Sequence, residues 1–170
     1  MNKGLKSILA IAALSTTALT GLAQQAVQFR DINFDEAMKE AKAERKIIFV
    51  DVQGMKEGDA NKKVASDIFT LDSVAGFFNK NVIAIHVNMN SPEGKKFAPR
   101  LAMLMYPVYV FHAADGDQLE FTNAYDVLKN PATLMDKART SLKDANIKLT
   151  NTRSIQFNAA AWKDLLAKAK

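Results

Sequence analysis

Two stretches of the chain are apolar almost without interruption. They are Ile47-Ile48-Phe49-Val50-Asp51-Val52 and Val82-Ile83-Ala84-Ile85-His86-Val87. Runs of this kind are what strands covered on both faces require, because each successive side chain points to the opposite side of the sheet. A third run, Pro107 to Phe111, predicts another strand with proline at its first residue, a position where the missing N–H is tolerated. Gln118 to Phe121 predicts its hairpin partner, because Ala114-Asp115-Gly116-Asp117 between them carries an Asp-Gly turn. Gln25 to Ile32 alternates Val27, Phe29 and Ile32 with polar residues, the pattern of an edge strand or an extended arm.

Between these runs the apolar spacing lengthens to three and four. Asn33 stands where a helix N-cap belongs, with Glu36 at the capping-box position and Ala37, Met38 and Ala41 as the apolar stripe. Arg45-Lys46 closes that helix with cations suited to its C-terminal dipole. After a loop at Gln53–Gly58, Asp59 is placed to cap a helix through Lys62, Lys63, Val64 and Ile68, and Thr70 to Asn79 predicts a second short piece. Ser91-Pro92-Glu93 has the cap-then-proline order of a helix start, predicted to reach Met103. Asn130-Pro131 opens a last helix, to about Lys143. The order β, α, β, α, β followed by a hairpin and a helix predicts an α/β fold: a central mixed sheet with helices on both faces.

The first residues read differently. Lys3 and Lys6 precede an apolar stretch from Ile8 to Leu22, and Gly21-Leu22-Ala23 is a small-x-small site before Gln24. This predicts a signal peptide over residues 1–23, cleaved near Ala23, and a periplasmic or secreted protein without membrane insertion after cleavage. Removing that segment takes away two lysines and no acids, so the net charge falls from +5 to +3. A charge that small does not argue for nucleic acid or an anionic membrane as partner. With no cysteine the chain forms no disulfide, and export imposes no redox demand on it.

The residues Phe34-Asp35-Glu36-Ala37, Ala41-Lys42-Ala43-Glu44-Arg45-Lys46 and Ile47-Ile48-Phe49-Val50-Asp51 resemble an "F-x-E-A-x-x-x-A-K-x-E-x-K-x-I-F-V-D" pattern. Ile68-Phe69-Thr70-Leu71-Asp72-Ser73-Val74 resembles the "V-F-x-D-x-x-V" that follows it. Together with Tyr106-Pro107 they resemble the thioredoxin-like family, exported bacterial type, over about Asn33 to Ala145. The resemblance implies a thioredoxin-like domain over 24–150, in which strand, redox helix and cis-proline strand meet at one site. Counting back from Phe69, Gly58-Asp59-Ala60-Asn61 stands where the family carries Cys-x-x-Cys, in a register open by one residue. No sulfur for exchange is there; the nearest, Met55, is a thioether.

Asp51 matches the buried aspartate that family members keep beneath the second cysteine. Two readings stay open: an acid/base group with a raised pKa, or an inherited polar group satisfied by water or by Lys62 or Lys63. The resemblance implies a cis bond at Tyr106-Pro107 and an outward backbone edge at Met105, Tyr106 and Pro107 that pairs with an extended peptide. Thioredoxin-like domains without thiols act as binding modules in chaperone-like proteins. His86 and His112, without cysteine or paired carboxylates at ligand spacing, make no metal site. No catalytic triad, phosphate loop or cofactor motif is present, and Met103 and Met105 fit either a peptide groove or core filling.

Residues 155–170 repeat the opening of the domain at an offset of 128. Gln28 corresponds to Gln156, Phe29 to Phe157, Phe34 to Trp162, Ala41 to Ala169 and Lys42 to Lys170. The segment 151–170 thus resembles the start of a second, truncated thioredoxin-like domain; the alternative is an unrelated amphipathic helix. Either way Trp162, Leu165 and Leu166 share one face and offer a surface for self-association. The expected function is an exported, redox-inactive, non-enzymatic module binding a peptide or protein. Its rivals are a structural remnant of a tandem thiol-disulfide oxidoreductase and an enzyme using Asp51.

Overall fold

The computed structural model describes residues 26–54, 58–101 and 106–148. The signal segment, Met55, Met103, Met105 and the C-terminal segment with Trp162, Leu165 and Leu166 lie outside the described residues. The elements in order are β1 (Phe29–Arg30), α1 (Phe34–Glu44), β2 (Ile47–Gln53), α2 (Asp59–Asp67), α3 (Asp72–Asn81), β3 (Val82–Asn88), α4 (Pro92–Phe97), β4 (Val108–His112), β5 (Gln118–Asn123) and α5 (Ala124–Lys129). A last helix, α6, covers 132–148.

The five strands form one sheet in the order β1-β3-β2-β4-β5. β1, β3 and β2 run parallel, while β4 is antiparallel to both β2 and β5. β2 sits at the centre, which is why its first six residues are all buried. Its alternate side chains feed two separate cores. Ile48, Val50 and Val52 pack with Phe34, Ala37 and Ala41 of α1 and Phe97 of α4. Ile47 and Phe49 pack with Val64 of α2, Phe78 of α3 and Leu134 of α6 on the other face. Phe49 meets the rings of Phe29, Phe69, Phe78, Tyr109 and Phe111, with centroids 5.1 to 6.1 Å away. Burying a side chain of this size contributes about 1.5–3 kcal/mol, and each well-placed ring pair roughly 0.5–1.5 more.

Local chemistry explains the element ends. Asn33 accepts from the Glu36 N–H at 3.0 Å and Glu36 accepts from the Asn33 N–H at 3.0 Å, a complete capping box. α1 ends at Arg45, which takes the left-handed conformation (φ 56°). Arg30 holds the helix to the sheet edge through Glu40 and, at 2.7 Å, Glu44. That guanidinium, followed by Lys46, draws the Glu44 carboxyl down to about 2.

Several boundaries differ from the sequence expectation. Gly58, not Asp59, is the N-cap of α2; Asp59 lies inside the first turn and makes no cap bond, acting there as a charge against the dipole. The helix begun by Ser91 and Pro92 stops at Phe97 and tightens into a 3₁₀ turn, Ala98–Arg100. Pro99 has no N–H to continue the α-helical ladder. β4 starts at Val108, so Pro107 precedes the strand. The hairpin turn is present, with Gly116 at φ +94°, but β5 continues to Asn123. There Asn123 accepts from the Asp126 N–H at 3.0 Å and starts α5, a helix the apolar pattern did not indicate. α6 runs five residues past the expected Lys143.

Candidate functional site

The C-terminal end of β2 is where the implied site residues converge. Side-chain alternation puts Asp51 on the same face as Ile47 and Phe49, under α2. Strand register then sets His86 of β3 beside it on one flank and Tyr109 of β4 on the other. These three form a row across the sheet, and Asn61 in the first turn of α2 reaches down to it.

Asp51 is 2% exposed, and its Oδ2 gathers three contacts. His86 Nδ1 lies at 2.9 Å, Gln53 Nε2 donates at 3.3 Å and Asn61 Nδ2 at 3.4 Å. Oδ1 is buried without a hydrogen-bond partner among the described residues. Tyr109 donates its hydroxyl to Asn61 Oδ1 at 2.8 Å. Burial, reinforced by the Asp51 carboxylate, pushes the Tyr109 phenol far above its ordinary range, so it stays a neutral donor. The Asn61 amide thus acts in both directions, accepting from a phenol and donating to a carboxylate. Of the two lysines the sequence offers as partners, Lys63 pairs with Asp67 at 2.5 Å instead.

His86 is a member of this cluster, bonded through Nδ1 to Asp51. Phe29 from the edge strand lies against the imidazole, centroids 3.8 Å apart and planes 15° from parallel. Its side chain is 47% exposed, so of the Asp51–His86 pair only the imidazole meets solvent. With Nδ1 directed to the carboxylate, Nε2 is the nitrogen available outward. The pairing is legible in the sequence only as two isolated polar residues in two apolar strands; their adjacency depends on the parallel register.

Next to this row lies a shallow groove of about 90 Å³, with Gly54, Gly58 and Asn61 along one wall and Tyr106, Pro107 and Tyr125 along the other. The Tyr106-Pro107 bond is cis. Pro107 is buried and its carbonyl accepts from the Ala124 N–H at 3.3 Å. Tyr106 is half-buried, and its backbone N–H and C=O are engaged by no described residue. A Cβ on Gly54 would come within 3.2 Å of Tyr106 Cβ, so the glycine lets the two segments approach. Of the tetrad, Gly58 caps α2 and Asn61 closes its first turn, buried; Asp59 and Ala60 do not line the groove. Tyr125 escapes the sequence reading. It is 60% exposed at the start of α5, and the Asn123-x-x-Asp126 capping spacing is the signal that could have placed it.

His112, the other histidine, belongs to the opposite face. It is buried edge-on against Phe34 and Phe97 and donates from Nδ1 to the Gly116 carbonyl at 3.0 Å. Burial lowers it to about 4, so it is neutral in the fold. Among the described residues no group of three histidine or acidic side chains is placed to hold a metal ion, and no helix is long and apolar enough to cross a membrane.

No protein-family model matches the sequence, and no curated protein sequence does. Solved structures do match. An oxidoreductase named DsbH aligns at a TM-score of 0.57 and 17% identity, over 84% of this chain and 95% of that one. The solution structure of a disulphide-isomerase candidate from Bacteroides thetaiotaomicron aligns at 0.53 and 28% identity, over 63% and 92%. A thioredoxin from Thermus thermophilus aligns at 0.50 and 16% identity, over 67% and 91%. The five-stranded sheet of this chain is that of the thioredoxin fold.

Proposed function

We propose that this chain is an exported, redox-inactive thioredoxin-fold protein that binds an extended peptide or protein segment along the Tyr106-Pro107 edge. Disulfide exchange proceeds by attack of a thiolate, and these 170 residues contain no cysteine. What carries the binding reading is the groove itself. Tyr106 leaves an N–H and a C=O unengaged by any described residue, with the exposed ring of Tyr125 opposite. Main-chain groups of this kind pair with an added strand, and a flanking aromatic supplies contact area. The groove is small, so one peptide side chain fills it and affinity comes from the backbone pairing.

The test is an NMR titration with a library of unstructured decapeptides. Binders should shift Tyr106, Gly54 and Tyr125, and Tyr125→Ala should weaken them about ten-fold without lowering the melting temperature. Peptides that bind while leaving these signals unmoved would remove the site.

The second reading, proton-transfer chemistry, is favoured by one observation: Asp51 is bonded to a half-exposed histidine. In that case Asp51 orients and His86 meets the substrate, and His86→Gln is the variant that separates the two readings, because it leaves the Tyr106 groove intact.

A further inference from the structure

The opposite end of the sheet carries a larger cavity, of about 270 Å³. It opens between the end of α1, the start of β2, the β4–β5 turn and α6. β2 rises about 3.3 Å per residue, so its seven residues put this cavity roughly 20 Å from the Tyr106 groove. Its inner wall is apolar: Ala41, Ile47 and Ala113 are buried, and Leu142 and Ala145 of α6 close the side. The volume falls just under the roughly 300–1,000 Å³ of drug-sized ligand sites, so an occupant is small.

The rim carries four cations and one acid. Lys148 matches that acid, Asp115, at 2.6 Å and also holds Asp117. Lys46 is spent on Glu44 at 2.9 Å and on the Asn79 carbonyl at 3.1 Å. Lys42 and Arg45 are exposed and have no acidic partner among the described residues. The C-terminal dipole of α1 accounts for about half a charge, which leaves these two cations largely uncompensated. Arg45 also stands in the left-handed conformation, φ 56°, where glycine or asparagine is the unstrained choice. Residues 149–170 follow Lys148 in the sequence, but their side chains include Arg153, Lys163, Lys168 and Lys170 against the single acid Asp164. Like charges on rim and segment disfavour that segment as the occupant.

We propose that this cavity binds a small amphiphilic anion, a medium-length alkyl carboxylate. The alkyl chain lies against Ile47, Ala113 and Leu142, and the carboxylate sits between Lys42 and Arg45. Arginine suits the second position because its planar fork meets a carboxylate through two hydrogen bonds. The site is independent of the peptide groove.

Calorimetric titration of the full chain with octanoate tests it, with octyltrimethylammonium as the control of equal length. Octanoate should bind one to one, at least ten-fold more tightly than the cation, and shift the methyl signals of Ile47 and Ala113. Arg45→Gly separates binding from folding: it should lose about ten-fold in affinity while keeping or raising the melting temperature. Lys42→Glu/Arg45→Glu, both on the surface, should abolish binding in a folded protein. No octanoate binding by the full chain, equal affinity for the cation, or unchanged affinity in the double variant would each overturn the proposal. Shifts confined to the Tyr106 groove would do the same.

Discussion

Asn61 is the residue on which the buried polar row turns. Its amide accepts from Tyr109 and faces Asp51, and all three groups are buried. A buried donor or acceptor stripped of its partner costs about 1–3 kcal/mol, so Asn61→Ala should destabilise the fold by that much in chemical denaturation. Tyr109→Phe removes the orphaned hydroxyl, and the double variant should be less destabilised than the two single losses combined. Strict additivity would mean that the hydrogen bond contributes nothing. His112 makes a pH prediction on the other face. Its folded value of about 4 lies below the 6.5 of the free imidazole, so the unfolded chain takes up a proton that the fold refuses. The stability it allows is complete above pH 6.5 and is lost as the pH falls toward 4, about 3 kcal/mol in all. His112→Gln, which keeps a donor for Gly116, should flatten the stability profile in that window. A variant with the wild-type slope there would refute it.

At the scale of elements, two helical glycines have opposite reasons to exist. A Cβ on Gly94, in α4, would lie 2.1 Å from the Asn88 carbonyl and 2.6 Å from Met89 Cα. Both are backbone atoms, so α4 seats on the end of β3 only because this position lacks a side chain. Gly94→Ala should cost upwards of about 3 kcal/mol, the top of the range for overpacking, or displace α4. Gly76, exposed in α3, has nothing within 4 Å of where a methyl group would stand, and Gly76→Ala should stabilise the protein by about 0.5–1 kcal/mol through helix propensity. Thermal unfolding of the pair gives the comparison directly. If Gly94→Ala melts with the parent, the close approach of α4 to β3 is not a constraint.

At the scale of the whole molecule, the sheet is that of the thioredoxin fold and the sequence contains no cysteine. Gly58 and Asn61 are three residues apart across the first turn of α2, a spacing that in helical geometry brings the two Cα atoms to about 5–6 Å. That is within reach of a disulfide, and a Cβ at Gly58 meets nothing within 4 Å. The double variant Gly58→Cys/Asn61→Cys should therefore lose two hydrogens on mild oxidation, as read by mass spectrometry. It should also reduce insulin in the presence of dithiothreitol, which the parent should not do above a cysteine-free control. A variant that stays a dithiol would show that the tetrad does not stand where Cys-x-x-Cys would.

What the sequence determined by itself is whatever depends on near neighbours along the chain. Unbroken apolar runs marked β2 and β3 as central strands, Asn33 with Glu36 set the start of α1, and the Asp-Gly pair set the hairpin turn. The lack of cysteine removed exchange chemistry outright. The Tyr106-Pro107 edge and Asp51 could be named from the family resemblance. The tertiary structure decided what depends on register and crossing elements. Asp51 meets His86 and Asn61 because β2 and β3 pair in parallel with Asp51 and His86 level, and because α2 turns Asn61 inward. Tyr125 joins the groove because β5 ends two residues later than its apolar pattern, and Asn123 caps a new helix there. The basic-rimmed cavity, built from residues 41 to 148, has no local signature at all. Contacts between distant segments follow from packing two cores onto one sheet, and periodicity carries no record of which side chains that packing sets face to face.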